Sequence, residues 1–294
     1  MQHESMRRVV VLGAGVMGRG IAQLCATTGL EVRLFDVAET QLEAAMAAVK
    51  KQLERLVEKG RIHAEQRDST LARLHTHSNL AEACTGVDLV IEAAPEKMPL
   101  KVELFQAVLQ HVTEHALLGS NTSSLSITEL GRSIGAAPRV VGLHFFNPPP
   151  VMPLLEIVRG MSTSEQSVAR ALALASLLGK EPIVVRDVPG FASSRLGVAL
   201  GAEAIRMLEA GVASIADIDR AMELGYRHPM GPLKLTDLVG LDVRLAILEH
   251  LHRELGEQFR PPPLLRQMVR AGRLGKKVGL GFYKWEASGP IPME

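Results

Sequence analysis

Two residues whose types suit acid–base chemistry stand in the stretch Gly142 to Glu156, GLHFFNPPPVMPLLE: His144 and Glu156. A neutral imidazole held by a carboxylate is a general base near neutral pH. The carboxylate fixes the tautomer and steadies the imidazolium that forms. The local pattern offers a way to bring them together. Val140 to Phe146 is an apolar run with strand character, Asn147 to Pro153 is a proline-laden turn, and Leu154 to Val158 is a second apolar run. Runs joined by so short a connection can lie side by side, which would put His144 within hydrogen-bond reach of Glu156. Alone, the pair favours the plainer reading, a histidine satisfied by a backbone carbonyl and a glutamate at a strand edge, so the rest of the chain has to change that.

A second chemistry-bearing stretch comes first in the chain. Arg7 to Leu12, RRVVVL, is a buried-strand pattern, followed by Gly13, Gly15 and Gly18 in GAGVMG and by a helical run that ends at Gly29. The first glycine makes the turn, the second lets backbone approach a pyrophosphate, and the third lets helix pack on strand. A pyrophosphate would sit on the helix N-terminus, against the backbone of Gly13, Gly15, Val16, Met17 and Gly18. A second strand, Glu31 to Phe35, ends at Asp36, the distance at which an acid accepts hydrogen bonds from a ribose and repels a 2′-phosphate. Asp36 is also a candidate helix cap, but the strand–turn–helix–strand context favours NAD. Arg33, one strand period away, is a residue that could soften that preference.

Polar residues at later strand ends complete the candidate set. Val87 to Ala93 reads as a parallel strand, and the loop at its end, Ala94 to Lys97, lies where open α/β sheets bind ligands. Ala93, Glu96 and Lys101 are therefore cofactor candidates, with an exposed position on a helix Lys101 to His111 as the competing reading for Lys101. SNTSSL, Ser120 to Leu125, ends the next strand, Leu117 to Ser120. Asn121 and Ser123 there face the meeting place of nicotinamide and substrate, with helix capping near Ile127 as the alternative. His111-Val-Thr-Glu114-His115 matches a zinc-peptidase pattern, but it sits in a short crossover and no metal is expected. His75 and His77 read as surface.

These residues need elements to hold them. From Glu39 to Lys59 runs a charged amphipathic helix whose Lys50, Lys51, Arg55 and Lys59 form a solvated face that could also meet phosphates of a long substrate. A last strand, Pro182 to Arg186, precedes a helical pattern: Arg195 to Gly211, Ile215 to Leu224 and Pro232 to Leu255. The expected architecture is a Rossmann-type, doubly wound, mostly parallel α/β sheet over residues 1–187, then an all-α C-terminal domain over residues 188–294, with a ligand cleft between them.

Composition bounds the classes. The chain has 294 residues, 47% of them hydrophobic, enough for a full core in two domains. A formal net charge of +1 with 3% aromatics argues against a nucleic-acid partner. Cys25 and Cys84 are too few and too far apart for a disulfide framework or a cysteine metal site. No signal-peptide pattern and no bilayer-length apolar run are read, so a soluble cytoplasmic protein without a membrane partner is expected.

GAGVMGRGIA, SNTSSLSIT, GLHFFNPPPVMPLLEIV, DVPGF and HPMGPLKLTDLVGLD together resemble the 3-hydroxyacyl-CoA dehydrogenase family, in order and spacing over nearly the whole chain. The resemblance implies NAD-dependent oxidation of an (S)-3-hydroxyacyl-CoA to the 3-oxoacyl-CoA, as in the β-oxidation steps of fatty acid metabolism. It implies His144 as general base, Glu156 as its partner and Ser123 as the hydrogen-bond donor to substrate oxygen beside the nicotinamide. Glu96, Lys101, Asn147 and Lys277 match cofactor-contacting positions, and Gln52 and Lys59 match positions that touch CoA. It also implies a homodimer through the C-terminal helical domain. One position departs: where the family commonly has an asparagine before the arginine of the long helix, this chain has Ser194, a shorter donor to the same place. The rival enzyme reading is the same fold acting on a CoA-free hydroxy acid such as a sugar acid.

Overall fold

The structure is a computed structural model that describes residues 6–293. The chain forms two compact units that divide after Val188. The first is built on eight strands: β1 (Arg8–Leu12), β2 (Glu31–Phe35), β3 (Leu74–His77), β4 (Leu89–Glu92), β5 (Leu117–Ser120), β6 (Val140–Phe145), β7 (Leu154–Arg159) and β8 (Glu181–Arg186). They form one sheet in the order β3-β2-β1-β4-β5-β6-β7-β8, in which β6 and β7 alone run antiparallel to each other. β4, β5 and β6 are buried along their full length, as strands covered on both faces must be, and near-continuous apolar runs result. The covering helices are α1 (Val16–Thr27), α2 (Glu39–Glu58), α3 (Ala64–Ala72), α4 (Leu80–Cys84), α5 (Met98–Leu109), α6 (Ile127–Ser133) and α7 (Glu165–Leu177).

Strand order reverses between β1 and β4, so the chain leaves these neighbours in opposite directions and opens a crevice at their C-terminal ends. The core beneath is aliphatic: Val9, Val11, Val32, Leu34, Leu89, Ile91, Leu143 and Ile157 are all closed to solvent. The helix at 98 ends at Leu109. His111 and His115 therefore stand beyond it and do not share a helical face. Among the described residues no cluster of three or more histidine, cysteine or acidic side chains could hold a metal.

The second unit holds α8 (Ser193–Glu209), α9 (Ile215–Gly225), α10 (Pro232–Val239), α11 (Leu241–Leu255) and α12 (Pro263–Arg270), then a hairpin of β9 (Tyr283–Glu286) and β10 (Gly289–Pro292). The single helix expected from Pro232 to Leu255 is two. Gly240 adopts φ 103°, a left-handed conformation that no α-helix contains and that glycine adopts without strain. The unit is stapled by two carboxylates that are each 1% exposed. Asp219 accepts from the amides of Leu233 and Lys234 at the start of α10 and from the Tyr283 hydroxyl. Asp237 accepts from the amides of Phe282 and Tyr283 and from the Trp285 indole. Burial is what pushes Asp237 above the usual carboxylate range, against these hydrogen bonds.

Candidate active site

The antiparallel pair β6/β7 sets the candidate base. Its register places His144 directly opposite Glu156, and directly opposed residues on one face of a pair are close enough for their side chains to meet. They do: Nδ1 of His144 lies 2.6 Å from Oε2 of Glu156. His144 is 7% exposed and Glu156 fully buried. An ionised carboxylate only accepts, so Nδ1 carries the hydrogen and Nε2 is the nitrogen suited to receive a proton. Phe146 stacks obliquely on the imidazole at 4.6 Å, and the Asn121 side chain accepts from the Phe145 amide, which ties β6 to the end of β5.

The glycine turn has the form its spacing predicts. Gly13 takes φ 100°, and a Cβ there would stand 2.8 Å from the Ala93 carbonyl oxygen. A Cβ on Gly18 would stand 1.8 Å from the Gly13 oxygen, so α1 reaches the sheet only because position 18 has no side chain. Gly15, the N-cap of α1, faces open space. The exposed Val16 and half-buried Met17 follow it. The end of α1 thus presents amides to a pyrophosphate, a fit to a dinucleotide. Asp36 lies beside the turn and accepts from the amides of Ala14 at 2.8 Å and Ala38 at 3.0 Å. Arg33 is occupied elsewhere: its guanidinium donates to the carbonyls of Glu82, Ala83 and Thr85 at the end of α4.

At the ends of β4 and β5 lies a buried charge network. Lys101 is 1% exposed, so the exposed-helix reading is wrong for it. Its Nζ donates to Glu92 at 2.6 Å and to the Ala94 carbonyl at 3.2 Å, and it pairs with Glu96 at 3.2 Å. Glu92 also accepts from Ser120 at 2.5 Å and from the Ala94 amide. Glu96 in turn gathers the serine loop, accepting from the Thr122 hydroxyl and from the amides of Ser123 and Ser124. Partial burial raises its pKa, but attraction to Lys101 and these hydrogen bonds outweigh burial and hold the carboxyl below its ordinary value. The capping alternative for Asn121 and Ser123 does not hold, since Ser126 caps α6. Ser126 and the amides of Ile127 and Thr128 are gripped by Asp187.

The remaining candidates are scattered. Gln52 on α2 lines a cavity of about 140 Å³ with Asn147. Lys59 is exposed just past the end of α2. Ser194 is the second residue of α8. Lys277 donates to both oxygens of Asp242 at 2.6 Å, and both residues lie in the second unit. A larger cavity of about 440 Å³, lined by His115, Arg139 and Arg170, holds none of the candidates. Its walls precede β5 and β6, which places it at the opposite end of the sheet.

Two family models match, one described as the 3-hydroxyacyl-CoA dehydrogenase NAD binding domain over residues 8–188 and the other as the 3-hydroxyacyl-CoA dehydrogenase C-terminal domain over residues 190–285. The chain belongs to the 3-hydroxyacyl-CoA dehydrogenase family. It is 45% identical to a probable 3-hydroxybutyryl-CoA dehydrogenase of Bacillus subtilis, over 96% of this chain and 98% of that one. Its structure resembles FadB2 of M. tuberculosis, with TM-score 0.93, 43% identity and 96% and 100% coverage. It also resembles the (S)-3-hydroxybutyryl-CoA dehydrogenase PaaH1 of Ralstonia eutropha, with TM-score 0.92, 42% identity and the same coverage. The chain is thus an NAD-dependent oxidoreductase of 3-hydroxyacyl-CoA dehydrogenase type. Among its described residues no helix is long and apolar enough to cross a membrane.

Several side chains that hold the dehydrogenase's site escaped the sequence reading. Glu92 and Ser120 read in the sequence as strand residues, yet an acid inside the apolar run VDLVIEA demands a cation, and Lys101 lies one strand-to-helix step away. Thr122 and Lys180 gave no such signal. Lys180 is buried with its Nζ on the carbonyls of Pro149 and Met152, both at 2.7 Å, and so braces the triple-proline turn from behind.

Proposed function

We propose that the protein oxidises (S)-3-hydroxyacyl-CoA to 3-oxoacyl-CoA with His144 as general base and Glu156 as its carboxylate partner. The observation that carries this reading is the 2.6 Å contact between two buried side chains across β6 and β7. Nε2 of His144 takes the hydroxyl proton as the C3–H bond breaks and the C–O bond becomes a carbonyl. NAD, when bound, accepts the hydride from C3. Glu156 holds the ring in the Nδ1–H tautomer and offsets the positive charge that arrives on it, a charge that would otherwise stand in a buried setting.

Ser123 orients the reacting oxygen, and its loop is pre-formed by Glu96 rather than ordered by substrate. Ser194 is the second donor to that oxygen. Asp36 faces the adenosine ribose while its two oxygens also hold the glycine turn, a dual use that favours NAD over NADP. Gln52 and Lys59 serve the CoA moiety, Lys277 the cofactor, and two copies pair through the C-terminal unit.

The test is NADH oxidation with acetoacetyl-CoA, run beside NADPH and beside free acetoacetate. Rapid turnover that needs both NADH and the thioester is expected. In the forward direction the (S) isomer of 3-hydroxybutyryl-CoA should react and the (R) isomer should not. Turnover of free hydroxy acids in preference to thioesters would overturn the reading.

A further inference from the structure

We infer that Arg19 is an anchor for a phosphate group of the CoA substrate, at a subsite formed by α1, α2 and the triple-proline turn. The inference rests on the acyl-CoA reading above. Arg19 lies on α1 one residue past the third glycine of the turn. Its side chain makes neither a hydrogen bond nor an ion pair with any described residue, although it is partly buried. It forms part of the wall of the cavity of about 140 Å³ whose other walls include Gln52 of α2 and Asn147 to Pro150.

The walls of this cavity are fixed before any ligand arrives. A Cβ on Gly20 would stand 2.8 Å from the Pro149 ring, so the turn rests directly on α1. From the other side Lys180 holds the carbonyls of Pro149 and Met152. The site is continuous with the catalytic strand, since Asn147 stands three residues past His144, a span of about 10 Å at most. A substrate whose reacting carbon meets His144 therefore runs past this cavity if it leaves along the proline turn.

The chemistry of the wall selects an anion. A guanidinium offers a planar fork of donors that matches phosphate, and an unpaired one gains most from a charged acceptor. The N-terminus of α1 adds partial positive charge nearby. Of the molecules in the reaction, two bring phosphates: the dinucleotide, whose pyrophosphate has the amides at Gly15, and the CoA thioester. The cavity wall runs from Val16, beside those amides, to Gln52 of α2 and to the proline turn that follows the catalytic strand; the pyrophosphate already has the amides, which assigns Arg19 to the thioester.

Substrate truncation tests this directly. Wild type, Arg19→Gln and Arg19→Lys are compared on acetoacetyl-CoA and on the acetoacetyl thioester of N-acetylcysteamine, which carries no phosphate. For Arg19→Gln, kcat/KM on the CoA substrate should fall roughly tenfold, the size of one charge-assisted hydrogen bond, through KM rather than kcat. Activity on the truncated thioester and NADH affinity by fluorescence titration should not change, and Arg19→Lys should recover part of the loss. Equal losses on both thioesters, or no loss on either, would overturn the assignment. A weakened NADH titration would instead make Arg19 a cofactor anchor. Wild type inert on acetoacetyl-CoA would sink the acyl-CoA reading itself, a result separate from any behaviour of the variants.

Discussion

His144 and Glu156 are informative as a pair because each alone is ordinary. A buried histidine needs a partner, and a buried glutamate needs one more. The replacement His144→Gln removes the proton acceptor and keeps size and polarity. Steady-state turnover of acetoacetyl-CoA is expected to drop by about a thousandfold, with NADH affinity in a fluorescence titration unchanged. Residual activity within tenfold of wild type would end the general-base assignment. Glu156→Gln keeps an acceptor opposite Nδ1 but no charge, so kcat should fall by about a hundredfold with KM nearly preserved. This pairing was legible because both residues lie on strands joined by a short turn, and a hairpin's register follows from its turn and its buried face. Lys101 was legible only in part. Its place after a strand end marked it as a candidate, but its burial depends on Glu92, whose long-range partner no local pattern reveals.

The ends of β4 and β5 behave as one element through the Glu92, Lys101 and Glu96 network. Lys101→Met removes the cation that pairs with Glu92 and leaves that carboxylate buried and uncompensated. Unfolding by denaturant should show a loss of about 3–5 kcal/mol. Removing both charges with Glu92→Leu added should restore much of it, since no buried charge is then left alone. Failure of the double variant to recover would mean that Lys101 acts through packing alone. Glu96 gives the element a pH dependence. Its folded-state pKa lies below the ordinary value, outweighing burial chiefly through Lys101. Its contribution to stability is therefore fully present above the unfolded-chain value and is lost as pH falls through the lowered one. The stability difference between wild type and Glu96→Gln should be constant from pH 6 to 8 and shrink below about pH 4. The boundaries of β1, β2 and β4 to β7 were legible to within a residue or two because their apolar runs stand out, whereas β3, LHTH with one buried residue, carries no such run. The split at Gly240 was not, because a glycine inside a helical pattern can be tolerated or can break it, and only the φ of 103° decides.

At the scale of the molecule the two units draw stability from different sources. The first is a layered sheet with an aliphatic core that strand patterns disclose. The second is short helices and a terminal hairpin held by Asp219 and Asp237, whose donors lie 14 to 64 residues away in sequence. No window of local sequence contains those contacts, which is why the terminal hairpin is not legible in the sequence as the sheet is. The glycine turn, Asp36, Glu96, Lys101 and the His144–Glu156 pair all belong to the first unit, whereas Ser194 and Lys277 belong to the second. Lys277 pairs with Asp242 within its own unit, so the cofactor contact proposed for it draws on a charge that already has a partner. A chain ending at residue 188 should therefore fold with its own core and bind NADH, with a dissociation constant within about tenfold of the full chain's. It should turn over acetoacetyl-CoA far more slowly, because it lacks Ser194, the second donor proposed above. Loss of NADH binding in a truncated chain that shows native-like far-ultraviolet dichroism would place essential cofactor contacts beyond residue 188, with Lys277 the first to replace in the full chain.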